Sequence, residues 1–187
     1  MTRFFAFIFS LWAGVLSAQP VNYSVDLSKS TVDFIYSFQG NPIRGSLPLR
    51  TSTVAIDVNN IRNSTVTAVH DVNRATGGFI FATQILRGSD MLDGANHPTV
   101  TFRSTGFQGD IPRGTMTGNL TMRGVTRPVT LSAELFRQPG TDPSDLTRLA
   151  IELKGTLDRR DYGMTAYPGF VDPEIDIRIM SWITRDP

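Results

Sequence analysis

The sequence predicts an all-β fold, about eight short antiparallel strands forming a sandwich or a closed barrel, with one short helix. Three observations carry this. Apolar and polar residues alternate with period two in run after run, the mark of strands with one buried face. Clusters of Gly, Pro, Asn and Asp separate the runs. A single stretch shows helical spacing instead. Composition points the same way, since 12 Phe with many Thr and Val favour strands, while 16 Gly and 11 Pro supply turns.

The chain opens with a segment of a different kind. Met1-Thr2-Arg3 is a short basic start, residues 4–16 form an apolar run, and Ser17-Ala18 are small residues ahead of Gln19-Pro20. This is the pattern of a secretory signal peptide over residues 1–18, and its apolar run is shorter than the ~20 residues that cross a bilayer. Residues 19–187 then form one domain, exported to a periplasmic or extracellular compartment. No cysteine follows the apolar run, so lipoprotein-type attachment is excluded.

The strands follow in order. Val32, Phe34, Tyr36 and Phe38 alternate with Thr31, Asp33, Ile35 and Ser37, and Gln39-Gly40-Asn41-Pro42 ends the run. Val54, Ile56 and Val58 make a second run, and Val66, Ala68, His70 and Val72 a weaker third. The helical stretch spans residues 74–87, with Ala75, Phe79, Ala82 and Leu86 at helical spacing; Gly77-Gly78 weaken its start and Gly88 supplies a stop. Strands resume with Val100 and Phe102, then Met116, Gly118, Leu120 and Met122. After the Arg123-Gly124 turn come Val129, Leu131, Ala133 and Leu135. Leu149, Ile151, Leu153, Gly155 and Leu157 form the next run, and Ile175, Ile177, Ile179 and Ile183 close the series.

Charge and residue inventory exclude several classes of function. Lys and Arg total 18 against 17 Asp and Glu, and loss of Arg3 with the leader leaves 17 against 17. A near-neutral domain lacks the basic patch that nucleic-acid phosphates require. With no cysteine, thiol catalysis, disulfides and cysteine-ligated metals are ruled out. There is no nucleophile elbow, phosphate loop or H-E-x-x-H motif. Of the two histidines, His70 falls on an apolar strand face, as a hydrogen-bonded core histidine does, and His97 precedes Pro98 in a turn. Asp172, Glu174 and Asp176 share a strand face beside Pro173, which reads as a solvated strand entry. Asp158-Arg159-Arg160-Asp161 reads as a self-neutralising turn. The chain is therefore expected to be no enzyme, with no catalytic residue, metal or cofactor.

The inward set is more informative. Phe34, Tyr36, Phe38, Phe102, Met116, Met122, Leu131 and Leu153 fall on inner faces, with Gly118 and Gly155 among them. An eight-stranded barrel is either filled by such side chains or holds one small apolar ligand, and alternation alone leaves both open.

Residues 114–131 carry a long motif, Gly114-Thr115-Met116-Thr117-Gly118-Asn119-Leu120-Thr121-Met122-Arg123-Gly124-Val125-Thr126-Arg127-Pro128-Val129-Thr130-Leu131. It resembles the signature of the YceI family, exported lipocalin-like barrels that bind polyisoprenoid lipids. Other landmarks fall in the family's order: Val25-Asp26, residues 30–34, His97-Pro98 with residues 99–104, residues 158–164, and residues 174–179. The resemblance covers about residues 23–183. It implies a closed eight-stranded lipocalin-like barrel holding an apolar isoprenoid tail, such as that of an isoprenoid quinone, as ligand rather than cofactor. The eight inward residues above would then contact the lipid, and Tyr162 and Tyr167 would stand near the rim. The chain departs from the family over residues 75–93. Many members carry a charged stretch there, whereas this chain has Gly77-Gly78-Phe79-Ile80-Phe81 and Met91-Leu92-Asp93. That bears on head-group choice and makes a transient contact of the helix with a membrane or a partner part of the reading. A filled-core module acting on an exported or membrane partner is the alternative. A homodimer is compatible with either.

Overall fold

The computed structural model describes residues 19–138, 140–142 and 144–187; the leader expected over residues 1–18 lies outside them. The alternating runs are ten strands: β1 (Val21–Val25), β2 (Thr31–Phe38), β3 (Asn41–Ser46), β4 (Leu49–Ile56), β5 (Thr65–Asp71), β6 (Thr99–Asp110), β7 (Arg113–Met122), β8 (Val125–Arg137), β9 (Arg148–Asp158) and β10 (Val171–Arg185). Among the described residues, one α-helix, α1 (Ile80–Arg87), and three short 3-10 turns (Ile61–Asn63, Val72–Arg74 and Arg159–Tyr162) complete the elements.

These strands make an eight-membered closed barrel. β1 pairs with β4, the antiparallel ladder runs on through β5, β6, β7, β8, β9 and β10, and β10 returns to β1. β2 and β3 lengthen two staves of that ring. One edge of the 15-residue β10 carries β2 along Val171–Met180 and β1 along Ile183–Arg185, so β1 and β2 act as one interrupted strand. At the break the Ser30 hydroxyl takes the Trp182 backbone N–H at 3.0 Å, which keeps that donor satisfied where no strand faces it. β3 and β4 form the next stave in the same way, paired to β2 and β1. Closure leaves little open edge, and a chain without disulfides gains its stability from the enclosed core.

The helix is shorter than its periodicity predicts. Residues 74–79 do not join it, because Gly78 holds a left-handed φ of +91°. The backbone here runs alongside β3 instead, with Ser46 and Thr76 exchanging two N–H···O bonds of 2.8 Å. A side chain at Gly78 would strike Ile43 and the Arg44 carbonyl, so glycine is what lets the two segments touch. The Gly88 N–H ends the helix on the Ile85 carbonyl at 3.0 Å, from an extended rather than left-handed conformation.

Two apolar clusters occupy the barrel. One lies toward the end that carries α1 and includes Val72, Met91, Phe102, Met116, Tyr162 and Met164. The other fills the opposite end with Tyr23, Val54, Ile56, Leu149 and Ile183.

Candidate functional site

Inside the ring lies a cavity of about 360 Å³. Phe34, Tyr36 and Phe38 of β2, Phe102 of β6, Met116 and Met122 of β7, Leu131 of β8 and Leu153 of β9 all line it, with Tyr167. Phe34, Tyr36 and Phe38 point inward yet are only half-buried, because the space in front of their rings is open. This settles geometrically what alternation left undecided: the barrel has a cavity.

Phe79, Phe81 and Tyr167 line the cavity and also reach solvent, at 46%, 67% and 36% exposure, so they mark its mouth. Ile80, 82% exposed, and Phe170 extend the apolar rim outward. Among the described residues no helix is long and apolar enough to cross a membrane.

Tyr162 is a correction. It is not on the cavity wall but 2% exposed in the surrounding core, in the 3-10 turn that follows β9. Its hydroxyl has no hydrogen-bond partner among the described residues, and burial pushes its pKa up to about 12. The turn rolls the ring inward, which strand alternation cannot foresee.

The self-neutralising reading of residues 158–161 holds for one arginine only. Arg160 pairs with Asp158 at 2.5 Å in solvent. Arg159 is 2% exposed, lines the cavity, and donates to the carbonyls of Asp172, Met164 and Val171. Burial lowers its pKa, with Asp158 opposing. No salt bridge reaches it among the described residues, so its charge is held by backbone dipoles at the edge of an apolar space. Nothing local in the sequence separates Arg159 from Arg160. The wall also includes Ile175, Ile177 and Ile179 of β10, whose alternation signalled them, and Ile85 and Leu86 of α1.

Two further polar groups on the wall, Tyr36 and His70, are already engaged. The Tyr36 hydroxyl donates to the Gly77 carbonyl at 2.8 Å. His70 is buried, and its Nδ1 lies 3.3 Å from the Leu47 carbonyl. A carbonyl only accepts, so Nδ1 carries the proton; burial lowers the pKa to about 4, and the ring is neutral at pH 7. Asp172, Glu174 and Asp176 lie exposed on the outer face of β10, and among the described residues no three His, Cys, Asp or Glu side chains gather as a metal site. The arrangement suits an apolar guest.

A sequence model described as a YceI-like domain matches residues 23–181. The chain belongs to the YceI-like family. It is 38% identical over 94 residues to protein YceI of Escherichia coli O157:H7, covering 50% of this chain and 49% of that protein. A UPF0312 protein of Pseudomonas aeruginosa is also 38% identical, over 92 residues, with 49% and 48% covered. The chain thus matches about half the length of these relatives. Among solved structures, BcnA of Burkholderia cenocepacia superposes with a TM-score of 0.76 at 19% identity, over 85% of this chain and 99% of that one. The YceI protein of Campylobacter jejuni gives 0.64 at 18% identity, over 79% and 86%. At those identities the likeness shows the barrel fold.

The YceI signature now has a structural reading. Residues 114–131 are β7, a two-residue turn and most of β8, with Met116, Leu120, Met122 and Leu131 inward. Arg123 and Gly124 take φ of 52° and 74°, the paired positive values that match strand twist in a tight hairpin. From that turn the Arg123 guanidinium donates to the Gly163 carbonyl at 2.6 Å and the Ser89 carbonyl at 2.8 Å. The motif therefore supplies both a cavity wall and a clamp on two loops at the mouth end.

Proposed function

We propose that this protein is an exported carrier that takes the tail of a polyisoprenoid amphiphile, such as an isoprenoid quinone, into its barrel, acting by binding and without catalysis. The observation that carries this reading is the 360 Å³ cavity, walled mainly by Phe, Met, Leu, Ile and Val and entered through an apolar rim. A hydrocarbon tail has no hydrogen-bonding groups, so burial and shape alone recognise it. At ~0.8 kcal/mol per methylene, a dozen buried carbons supply on the order of 10 kcal/mol before ordering and association costs. Roughly micromolar affinity is left after those costs. In this reading, the signal-peptide pattern places the carrier in the periplasm or outside the cell.

The rim of Phe79, Ile80, Phe81 and Phe170 fits a second part of the reading, a transient contact with a membrane surface while the lipid enters or leaves. The test is organic extraction of the purified protein followed by mass spectrometry. A co-purifying isoprenoid amphiphile is the expected result. An empty extract, together with failure to take up quinone from vesicles, overturns the reading in favour of a ligand-free interaction module.

A further inference from the structure

The apolar interior does not stop at the floor of this cavity. A second cavity of about 100 Å³ lies at the opposite end of the barrel, beneath the β6–β7 turn. Five residues, Val54, Val66, Met116, Leu153 and Ser181, line both spaces. The partition between them is therefore a single layer of side chains.

Met116 is the long, unbranched member of that layer and is 1% exposed. Its three rotatable bonds and soft thioether let it change shape at low cost, which the branched valines and leucine do not match. Ser181 adds a small side chain at the same level. Beyond the partition the walls are again mostly apolar, with Ile56, Leu135 and Ile151, and one of them carries only the methyl of Ala133. Empty apolar volume costs stability, and a larger residue at Ala133 would remove it.

We propose that Met116 is a movable floor, and that the second cavity receives the end of tails too long for the first. The inference rests on the carrier reading and adds to it a preference for long isoprenoid chains. Each methylene that passes the floor into apolar surroundings raises affinity roughly fourfold before ordering costs.

The test is a set of isoprenoid alcohols, geraniol, farnesol, geranylgeraniol and a longer polyprenol, each displacing a fluorescent fatty-acid analogue from the purified protein. Wild-type affinity should keep rising from farnesol to the longer chains. Ala133→Leu, which fills the second cavity from its far wall, should weaken the longest chain about tenfold while farnesol stays within about twofold. Met116→Leu, close in volume and well tolerated in cores, stiffens the floor and should flatten the same end of the profile even where Ala133→Leu folds poorly. Length profiles of the folded variants that match the wild type, or fall equally at every length, overturn the movable floor alone. Failure of every alcohol to bind the wild type overturns the carrier reading with it.

Discussion

The ring of Phe102 on β6 lies so close over Gly118 on β7 that a Cβ at Gly118 would stand 2.3 Å from Phe102 Cζ. It would also meet the Arg103 carbonyl at 2.7 Å. Gly45 seats Phe34 in the same manner, its Cβ position only 2.2 Å from the ring. Glycine at these two positions is what lets the aromatic rings approach the backbone of the wall so closely. Gly118→Ala should push Phe102 inward and destabilise the protein by about 1–3 kcal/mol, read from urea unfolding midpoints. Lipid affinity should fall with it. A variant as stable as the wild type would mean the contact is slack.

His70 gives stability a specific pH dependence. Its folded pKa of about 4 lies below the ordinary 6.5. Between those values the unfolded chain binds a proton at His70 that the folded chain refuses, so stability falls as pH drops through this window. The loss reaches roughly 3 kcal/mol at its acid end and vanishes above the ordinary value. His70→Gln should remove this component. Urea midpoints measured across the window should then decline less in the variant than in the wild type, and parallel declines would refute the assignment.

The orphan hydroxyl of Tyr162 makes an unusual forecast for a buried residue. Tyr162→Phe removes a desolvated group that gains nothing in return, so thermal stability should be unchanged or rise, by up to about 1 kcal/mol. A loss of more than that would reveal a partner for the hydroxyl.

The rim can be tested apart from the cavity. Phe81, 67% exposed, contributes little to the core. Phe81→Ser should slow lipid uptake from vesicles roughly threefold or more while leaving the unfolding midpoint within about 0.5 kcal/mol. Unchanged uptake rates would separate the rim from lipid transfer.

Affinity should follow the tail more than the head group. Tyr36 and His70 already spend hydrogen bonds on Gly77 and Leu47, and Arg159 spends three on carbonyls. A head group at these three residues therefore competes for donors already in use, and the hydroxyl of Tyr167 at the mouth adds only about 1 kcal/mol net per bond. Shortening the isoprenoid should weaken binding steeply, and exchanging a quinone for an alcohol should change it little. Calorimetric titration showing the reverse order would point to a polar site centred on Arg159.

Strand identity and inward facing were legible because a strand puts alternate residues on opposite faces whatever its partners do. Phe102, Met116, Met122, Leu131 and Leu153 follow from that period of two. The Arg123-Gly124 turn was equally legible, since the local backbone there needs positive φ. Residues 74–79 were not, because their helical spacing lost to a bond pair with Ser46, some thirty positions away. Tyr162 and Arg159 sit in a 3-10 turn whose side chains are aimed by the closing barrel, so neighbours in sequence, Arg159 and Arg160, part into core and solvent. The volume of the interior belongs to the same category. Local sequence determines which side chains face inward; how far apart the opposing walls stand, and so whether they meet over Met116 or leave a cavity, is decided only when the ring closes.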